Sequence, residues 1–251
     1  LGAGEIEQFI ESGYAIVRQA FPAELAAEIR ALVWKEINLD PDDRSTWKQP
    51  TVHLKKFLTG MPFEAVYTPR LRAAIDEVLG AERWILPNRS GWWPIRFPGF
   101  DSPPWRPPQT GWHIDGNQFH HHINSPDQGF LGILIFSDIE SGDGGTAISV
   151  GSHKITARIL TEAEPAGLEA GELSKRVVAR PRGEVVEITG SPGDVALLHP
   201  FMLHSASANT GGRVRIITNK CITLKEPMNL DRADASQYSP VELAIVRALR
   251  S

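Results

Sequence analysis

The stretch PGDVALLHPFMLHSASANTGGRVRII, residues 192–217, decides the fold. Pro192-Gly193-Asp194 is a turn signal, and the apolar run 195–198 that follows has the length of a strand. The run continues through His199 to His204. It then gives way to the polar stretch 205–212 and resumes as a β-branched run from Arg213. Two strand-like runs around such a turn predict an antiparallel hairpin. If the turn centres between Asn209 and Thr210, His204 faces Arg215 directly. If it centres one residue later, the two are diagonal neighbours, and in both registers they share a face. Centring on Thr210 itself would break that parity.

The same texture extends in both directions. Short apolar runs at 84–86, 92–97, 111–115, 129–137, 146–150, 185–188, 195–198 and 213–218 are separated by Gly, Pro, Asn and Asp. Eight such runs predict an antiparallel sandwich or barrel. Ahead of them the chain reads as helical. Residues 4–12 place Ile6, Phe9 and Ile10 on one face, and 14–17 is a short strand. Pro22 opens a longer helix, as proline fits the first helical position, with Leu25, Ile29, Leu32, Val33 and Ile37 at helical spacing. Residues 69–79 form a third helix, ended by Gly80. The Glu-rich segment 161–175 reads as a helical or irregular insertion. Ser239, Pro240 and Glu242 make a capping box that opens a C-terminal helix. The expectation is a mainly β (α+β) protein with flanking helices, one domain over residues 1–251.

Composition narrows the function classes. The 22 glycines and 19 prolines exceed the usual ~12% share and fit a turn-rich fold. Net charge is −4 and no block of Lys or Arg stands out, so neither nucleic acid nor a membrane is expected as partner. Cys221 is the one cysteine, which excludes an intramolecular disulfide and a Cys-based zinc site. No apolar run approaches the ~18 residues of a membrane span. Residues 1–11 lack the basic and apolar regions of a signal peptide. A cytoplasmic enzyme for a small-molecule substrate is expected.

The chemistry starts at His113-Ile114-Asp115. Residues i and i+2 of a strand point to the same side, so this imidazole and carboxylate converge. With His204 they make two histidines and one carboxylate, the facial triad of non-haem Fe(II) oxygenases, which leaves positions open for co-substrate and O2. Arginine beside it is a fixed fork for a carboxylate. 2-Oxoglutarate needs both: its keto-acid end chelates iron and its far carboxylate meets the arginine. Parity does not separate Arg213 from Arg215.

These residues resemble the phytanoyl-CoA dioxygenase-like branch of the Fe(II)/2-oxoglutarate oxygenases. Residues 5–33, with GYAIVRQAF at their centre, are similar to its N-terminal opening. His113, Asp115 and His204 match its metal ligands, and Gly144-Gly145-Thr146 through Gly151-Ser152-His153 resembles its strand and GSH loop. Arg215, eleven positions after His204, stands where such proteins carry the 2-oxoglutarate arginine, and the choice of Arg215 over Arg213 rests on this resemblance. The resemblance implies a double-stranded β-helix (jelly roll, cupin-like). It also implies hydroxylation of an unactivated C–H bond of a small organic, secondary-metabolite-like substrate, with release of succinate and CO2. Thr146 would assist on the 2-oxoglutarate carboxylate. Halogenating relatives replace the carboxylate by a small residue, so Asp115 favours hydroxylation, or another oxidative outcome such as desaturation or ring formation, over halogenation.

Other residues carry less. His199 is odd-numbered where His204 is even, and reads as structural. His120-His121-His122 reads as a polar loop, since adjacent side chains cannot all face one ion. His153 reads as fixing its loop. The segment 92–112 holds four tryptophans and six prolines and leads into the His-x-Asp pair. Trp92, Trp93, Arg96, Trp105 and Arg106 are its candidate substrate contacts, Trp93, Arg96 and Trp105 foremost. Two other classes fit the triad: a zinc or manganese hydrolase or isomerase on a cupin-like barrel, and a non-catalytic metal-binding barrel. Neither needs Arg215.

Overall fold

The helical periodicities of the N-terminal third fold with almost the expected bounds. α1 (Ala3–Ser12) ends at Gly13, whose φ of 86° suits glycine. β1 (Tyr14–Val17) follows at once. α2 (Ala23–Ile37) begins after Pro22 and closes on Asn38. β2 (Thr51–Leu54) was not expected. In α3 (Pro69–Leu79) the Thr68 hydroxyl caps the first turn by accepting from Leu71 N at 3.2 Å. The computed structural model describes residues 1–54 and 56–250.

The rest comprises β3 (Trp93–Arg96), β4 (Phe130–Ile135), β5 (Ala147–Ser149), α4 (Ser152–Ala163), α5 (Ala170–Val178), β6 (Val185–Glu187), β7 (Val195–Leu198), β8 (His204–Ser205), β9 (Ile217–Ile222) and α6 (Pro240–Arg250). The expected insertion at 161–175 straddles the end of α4 and the start of α5. The runs 84–86 and 111–115 are reduced to single bridges, at Trp84 with Leu224 and at His113 with His204. Helix occupies more of the described residues than strand, so the protein is mixed helix and strand with antiparallel sheets, less β-rich than its turn signals predicted.

Three antiparallel sheets form, in the orders β1-β7-β4-β9, β2-β3 and β6-β5-β8. Bridges from Trp92 to Asn219 and from Arg96 to Arg215 lay β3 along the chain that enters β9. The predicted hairpin at 195–218 does not form. β8 pairs with β5, while β9 pairs with β4, in a different sheet. The connection is held at its turn by Asn209 Nδ2, which donates to the Arg213 carbonyl at 2.7 Å, and by the buried Asp143, which accepts from Arg213. These side chains satisfy the turn, so the chain leaves one sheet and enters the other without pairing to itself.

Period-two alternation sorts the core into two layers. Phe130 and Leu134 of β4, with Val195 and Leu197 of β7, pack with the helices. Leu131, Ile133 and Ile135, with Ala196 and Leu198, pack with Ile148 and Ile188 of the smaller sheet. β3 obeys the same rule: Trp93 and Ile95 are fully buried on the helix side, where the Trp93 ring lies 5.0 Å from Phe136.

Two buried polar sites tie the helices down, and each gives a prediction. Glu242 of α6 is fully buried and takes Arg83 in a two-pronged ion pair, together with N–H groups of Ser239 and Asn229. Burial alone would raise its carboxyl, but Arg83 and the backbone donors outweigh it and hold it at about 2. Glu242→Gln leaves Arg83 and Arg232 without their counter-charge. Because Arg83 stays partly solvated, the expected loss is roughly 2–3 kcal/mol, below the 3–5 kcal/mol of a fully buried pair. Thermal unfolding should read this as a midpoint lower by ~5–10 °C.

The second site joins His153 and His199, with rings 4.9 Å apart. His153 Nε2 donates to the Ile10 carbonyl of α1, and His199 Nε2 reaches the Val241 carbonyl of α6. Burial pushes the His153 imidazole from its ordinary 6.5 down to about 4. A histidine neutral in the fold and protonated when unfolded adds stability that is complete above pH 6.5 and lost as pH falls through that value toward 4. The slope of melting temperature against pH between 6.5 and 4 should therefore flatten in His153→Gln. An unchanged slope would remove His153 as its source.

Candidate active site

His113 and His204 meet as a backbone pair. His113 N donates to the His204 carbonyl at 2.9 Å, and His204 N to the His113 carbonyl at 3.1 Å. Residues paired this way stand directly opposite each other, and the ring centroids are 4.3 Å apart. Asp115, two residues on, turns to the same side. Its Oδ1 lies 3.3 Å from His113 Nε2 and 3.6 Å from His204 Nε2. One ligand atom from each of the three falls within 4.8 Å of the others, and no other such group occurs among the described residues.

The rings are oriented from behind. His113 Nδ1 lies 2.8 Å from the Gly111 carbonyl and His204 Nδ1 3.0 Å from the Met202 carbonyl. A carbonyl can only accept, so each Nδ1 carries the hydrogen and each Nε2 turns a lone pair toward Asp115. His204 Nε2 is buried with no hydrogen-bond partner. Burial would raise the Asp115 carboxyl, but the two histidines hold it well below the usual carboxylate range. Two inward lone pairs, one of them orphaned, beside an ionised carboxylate fit a divalent cation: the donor set is the N2O set of a facial triad.

A cavity of about 810 Å3 opens in front of these atoms. Thr146 and Arg215 line it with the triad, and His204 of β8 and Asn219 of β9 bring both larger sheets to it. Arg215 is 1% exposed, and its Nε and Nη2 have no hydrogen-bond partner. Burial lowers it to about 9, helped by the like charge of Arg96 and opposed by Glu187, so it stays cationic at neutral pH. Glu187 spends its carboxylate on the Gly142 and Gly145 N–H groups. Arg213 lies outside the cavity, exposed and paired with Glu140 and Asp143. It precedes β9 in the turn, where the assumed strand parity does not apply.

Of the candidate substrate contacts only Trp92 lines this cavity. Trp93 points into the helix-side core, its Nε1 on Ser90 Oγ, because the phase of β3 is one residue off the phase that would present it. Arg96 and Trp105 also stand outside the lining; Arg96 pairs with Arg215 only through backbone. Trp92 stands beside His53 and Asn219 in the lining. Asn219 and Cys221 follow Arg215 at even spacing, a signal the sequence carried. His53 sits on the unforeseen β2. Burial pushes the Cys221 thiol up to about 12, so it stays protonated.

None of His120, His121 and His122 lines the cavity. His120 meets Glu169 and His122 meets Glu164, while buried His121 lies 3.2 Å from the Gly116 carbonyl and props the turn after Asp115. Gly116 has φ 120°, and a side chain there would collide with Phe119 and His121.

The family model of phytanoyl-CoA dioxygenase matches residues 9–217. No curated protein sequence matches the chain. Among solved structures, HygX from Streptomyces hygroscopicus, crystallised with nickel, 2-oxoglutarate and hygromycin B, is 15% identical. The match covers 90% of this chain and 88% of HygX at a TM-score of 0.52. EvdO2 from Micromonospora carbonacea var. aurantiaca is 16% identical over 93% of this chain and 94% of its own, at 0.55. AviO1 from Streptomyces viridochromogenes Tue57 is 16% identical over 90% and 96%, at 0.54. These likenesses are of fold. No helix among the described residues is long and apolar enough to cross a membrane.

Proposed function

The chain belongs to the phytanoyl-CoA dioxygenase family of Fe(II)/2-oxoglutarate-dependent oxygenases, and from that premise we propose that His113, Asp115 and His204 hold its iron and Arg215 its co-substrate. The observation that carries the assignment is the coincidence in one cavity of a His-Asp-His cluster and a buried guanidinium without a carboxylate partner. A hydrolase on the same three ligands would have no use for that guanidinium.

Iron with 2-oxoglutarate and O2 supplies a centre that oxidises an unactivated C–H bond, the co-substrate leaving as succinate and CO2. The protein's own part is positional. The Gly111 and Met202 carbonyls fix the two imidazoles, and Asp115 contributes the negative charge. Arg215 pairs with the far carboxylate of 2-oxoglutarate, and the Thr146 hydroxyl stands ready to donate to the same molecule.

Hydroxylation of a small, secondary-metabolite-like substrate is the reading that suits the family, and HygX was crystallised with hygromycin B bound. The two larger sheets would be the opposed faces of a jelly roll closed over one domain, residues 1–251. A single unpaired cysteine and a need for ferrous iron fit a reducing cytoplasm. The test is anaerobic titration with Fe(II) and 2-oxoglutarate, read by visible absorbance. A weak metal-to-ligand charge-transfer band is expected. Tight Zn2+ binding with no such band would favour the hydrolase.

A further inference from the structure

We infer that Trp92 and Asn219 form the substrate platform of this cavity, and that it receives a saturated ring bearing hydroxyl groups at its edge, a saccharide-like ring. The inference deepens the oxygenase reading and rests on it for the reaction, but the binding can be tested separately.

Trp92 N donates to the Asn219 carbonyl and Asn219 N to the Trp92 carbonyl, each at 2.8 Å. The two residues are therefore directly opposed, and their side chains rise from the same face as neighbours. Arg215, four residues before Asn219, rises from that face too. Both members of the pair line the cavity. Trp92 is 46% exposed, whereas Trp84, Trp93 and Trp112 are buried. Its indole is held in place: Nε1 donates to His53 Nδ1 at 3.1 Å, and the rings are 5.3 Å apart. Asn219 Oδ1 is buried with no partner.

Each member asks for one thing. A fixed, exposed indole attracts a flat apolar surface. An orphaned amide oxygen needs an O–H or N–H donor, and stays costly until it finds one. A ligand that meets both at adjacent positions has a C–H face and a hydroxyl edge. A plain alkyl chain would cover Asn219 Oδ1 and leave it unpaired. Once 2-oxoglutarate occupies Arg215, charge does not select, because Arg89, Lys220 and Asp127 all line the cavity, with both signs present.

The test uses the full chain with 2-oxoglutarate present to occupy Arg215, with methyl glucoside and octanoate as probes, read by saturation-transfer difference NMR without turnover. Methyl glucoside should bind better than octanoate. Trp92→Ala should weaken it by about tenfold or more, and Trp92→Phe should retain most of it. Asn219→Leu should also weaken the glucoside by about tenfold while leaving octanoate unchanged or tighter. Melting temperatures confirm that each variant is folded. Absence of glucoside binding in the folded wild type, equal binding by all variants, or preference for octanoate would each overturn the inference. The Fe(II)/2-oxoglutarate band is recorded in parallel. A wild type that binds glucoside but lacks the band would sink the oxygenase reading and leave the platform standing.

Discussion

Arg215→Met is expected to weaken 2-oxoglutarate binding by about 30-fold or more, the equivalent of the roughly 2–5 kcal/mol lost when one partner of a buried charge pair is removed. The same substitution should raise the melting temperature of the ligand-free protein. The two effects have opposite signs for one reason. The guanidinium is buried, has no carboxylate partner and sits beside the like charge of Arg96, so without ligand it is a desolvated charge lacking compensation. Methionine of similar length removes that penalty, which by analogy with other buried ionic groups is about 1–4 kcal/mol. In the wild type 2-oxoglutarate should raise the melting temperature, as any ligand of the native state does, and in Arg215→Met it should not. Calorimetric titration and paired melts read both halves. Unchanged affinity would remove Arg215 from co-substrate binding, and a lower melt for the variant would mean that the guanidinium stabilises the fold. Arg213→Ala should leave the affinity alone, because its partners are Glu140 and Asp143 at the surface.

What the sequence disclosed follows from the range of the interactions involved. α3 was readable to the residue because its cap, its N1 proline and its apolar spacing are all local. His113 and Asp115 were readable as a pair because a period of two survives even where the strand shrinks to one bridge. The partner of β8 was not readable. Turn chemistry at 205–212 is compatible with a hairpin and with a crossing between sheets, and Asp143, some seventy residues away, decides between them. His204 and Arg215 do not meet through a hairpin, since β8 pairs with β5 and β9 with β4. They line one cavity because β8 and the chain that leads into β9 border it from different sheets.

The tryptophan segment was legible in part: Trp92 lines the cavity, and Trp93, Arg96, Trp105 and Arg106 do not. Its prolines correctly signalled an irregular approach to the His-x-Asp pair, yet the phase of a four-residue strand depends on its neighbours. A shift of one residue exchanges Trp92 for Trp93 between cavity and core. Asn219 was within reach: counting by twos from Arg215 puts it on the cavity face. His53 was not, since 51–54 carries no alternation strong enough to mark a strand.

Asp115→Ala is expected to reduce metal affinity by more than ~100-fold and to bring succinate release to background, since even outer partners of metal ligands are worth ~10–100-fold. The carboxylate is the only negative charge of the cluster, and Asp115 Oδ1 is the atom both Nε2 lone pairs face. Without it two neutral imidazoles remain, a set with no charge to oppose a divalent ion. His121→Ala gives the comparison. It removes the ring that props the Gly116 carbonyl in the turn just after Asp115, so the carboxylate survives with looser aim. Its loss should fall inside that ~10–100-fold range, with activity recoverable at high metal concentration. Co2+ titration by absorbance and succinate release at saturating metal separate the cases. The expected order of metal affinity is wild type, His121→Ala, Asp115→Ala. If Asp115→Ala binds metal as tightly as His121→Ala, the carboxylate is not a ligand and the three-residue site must be redrawn.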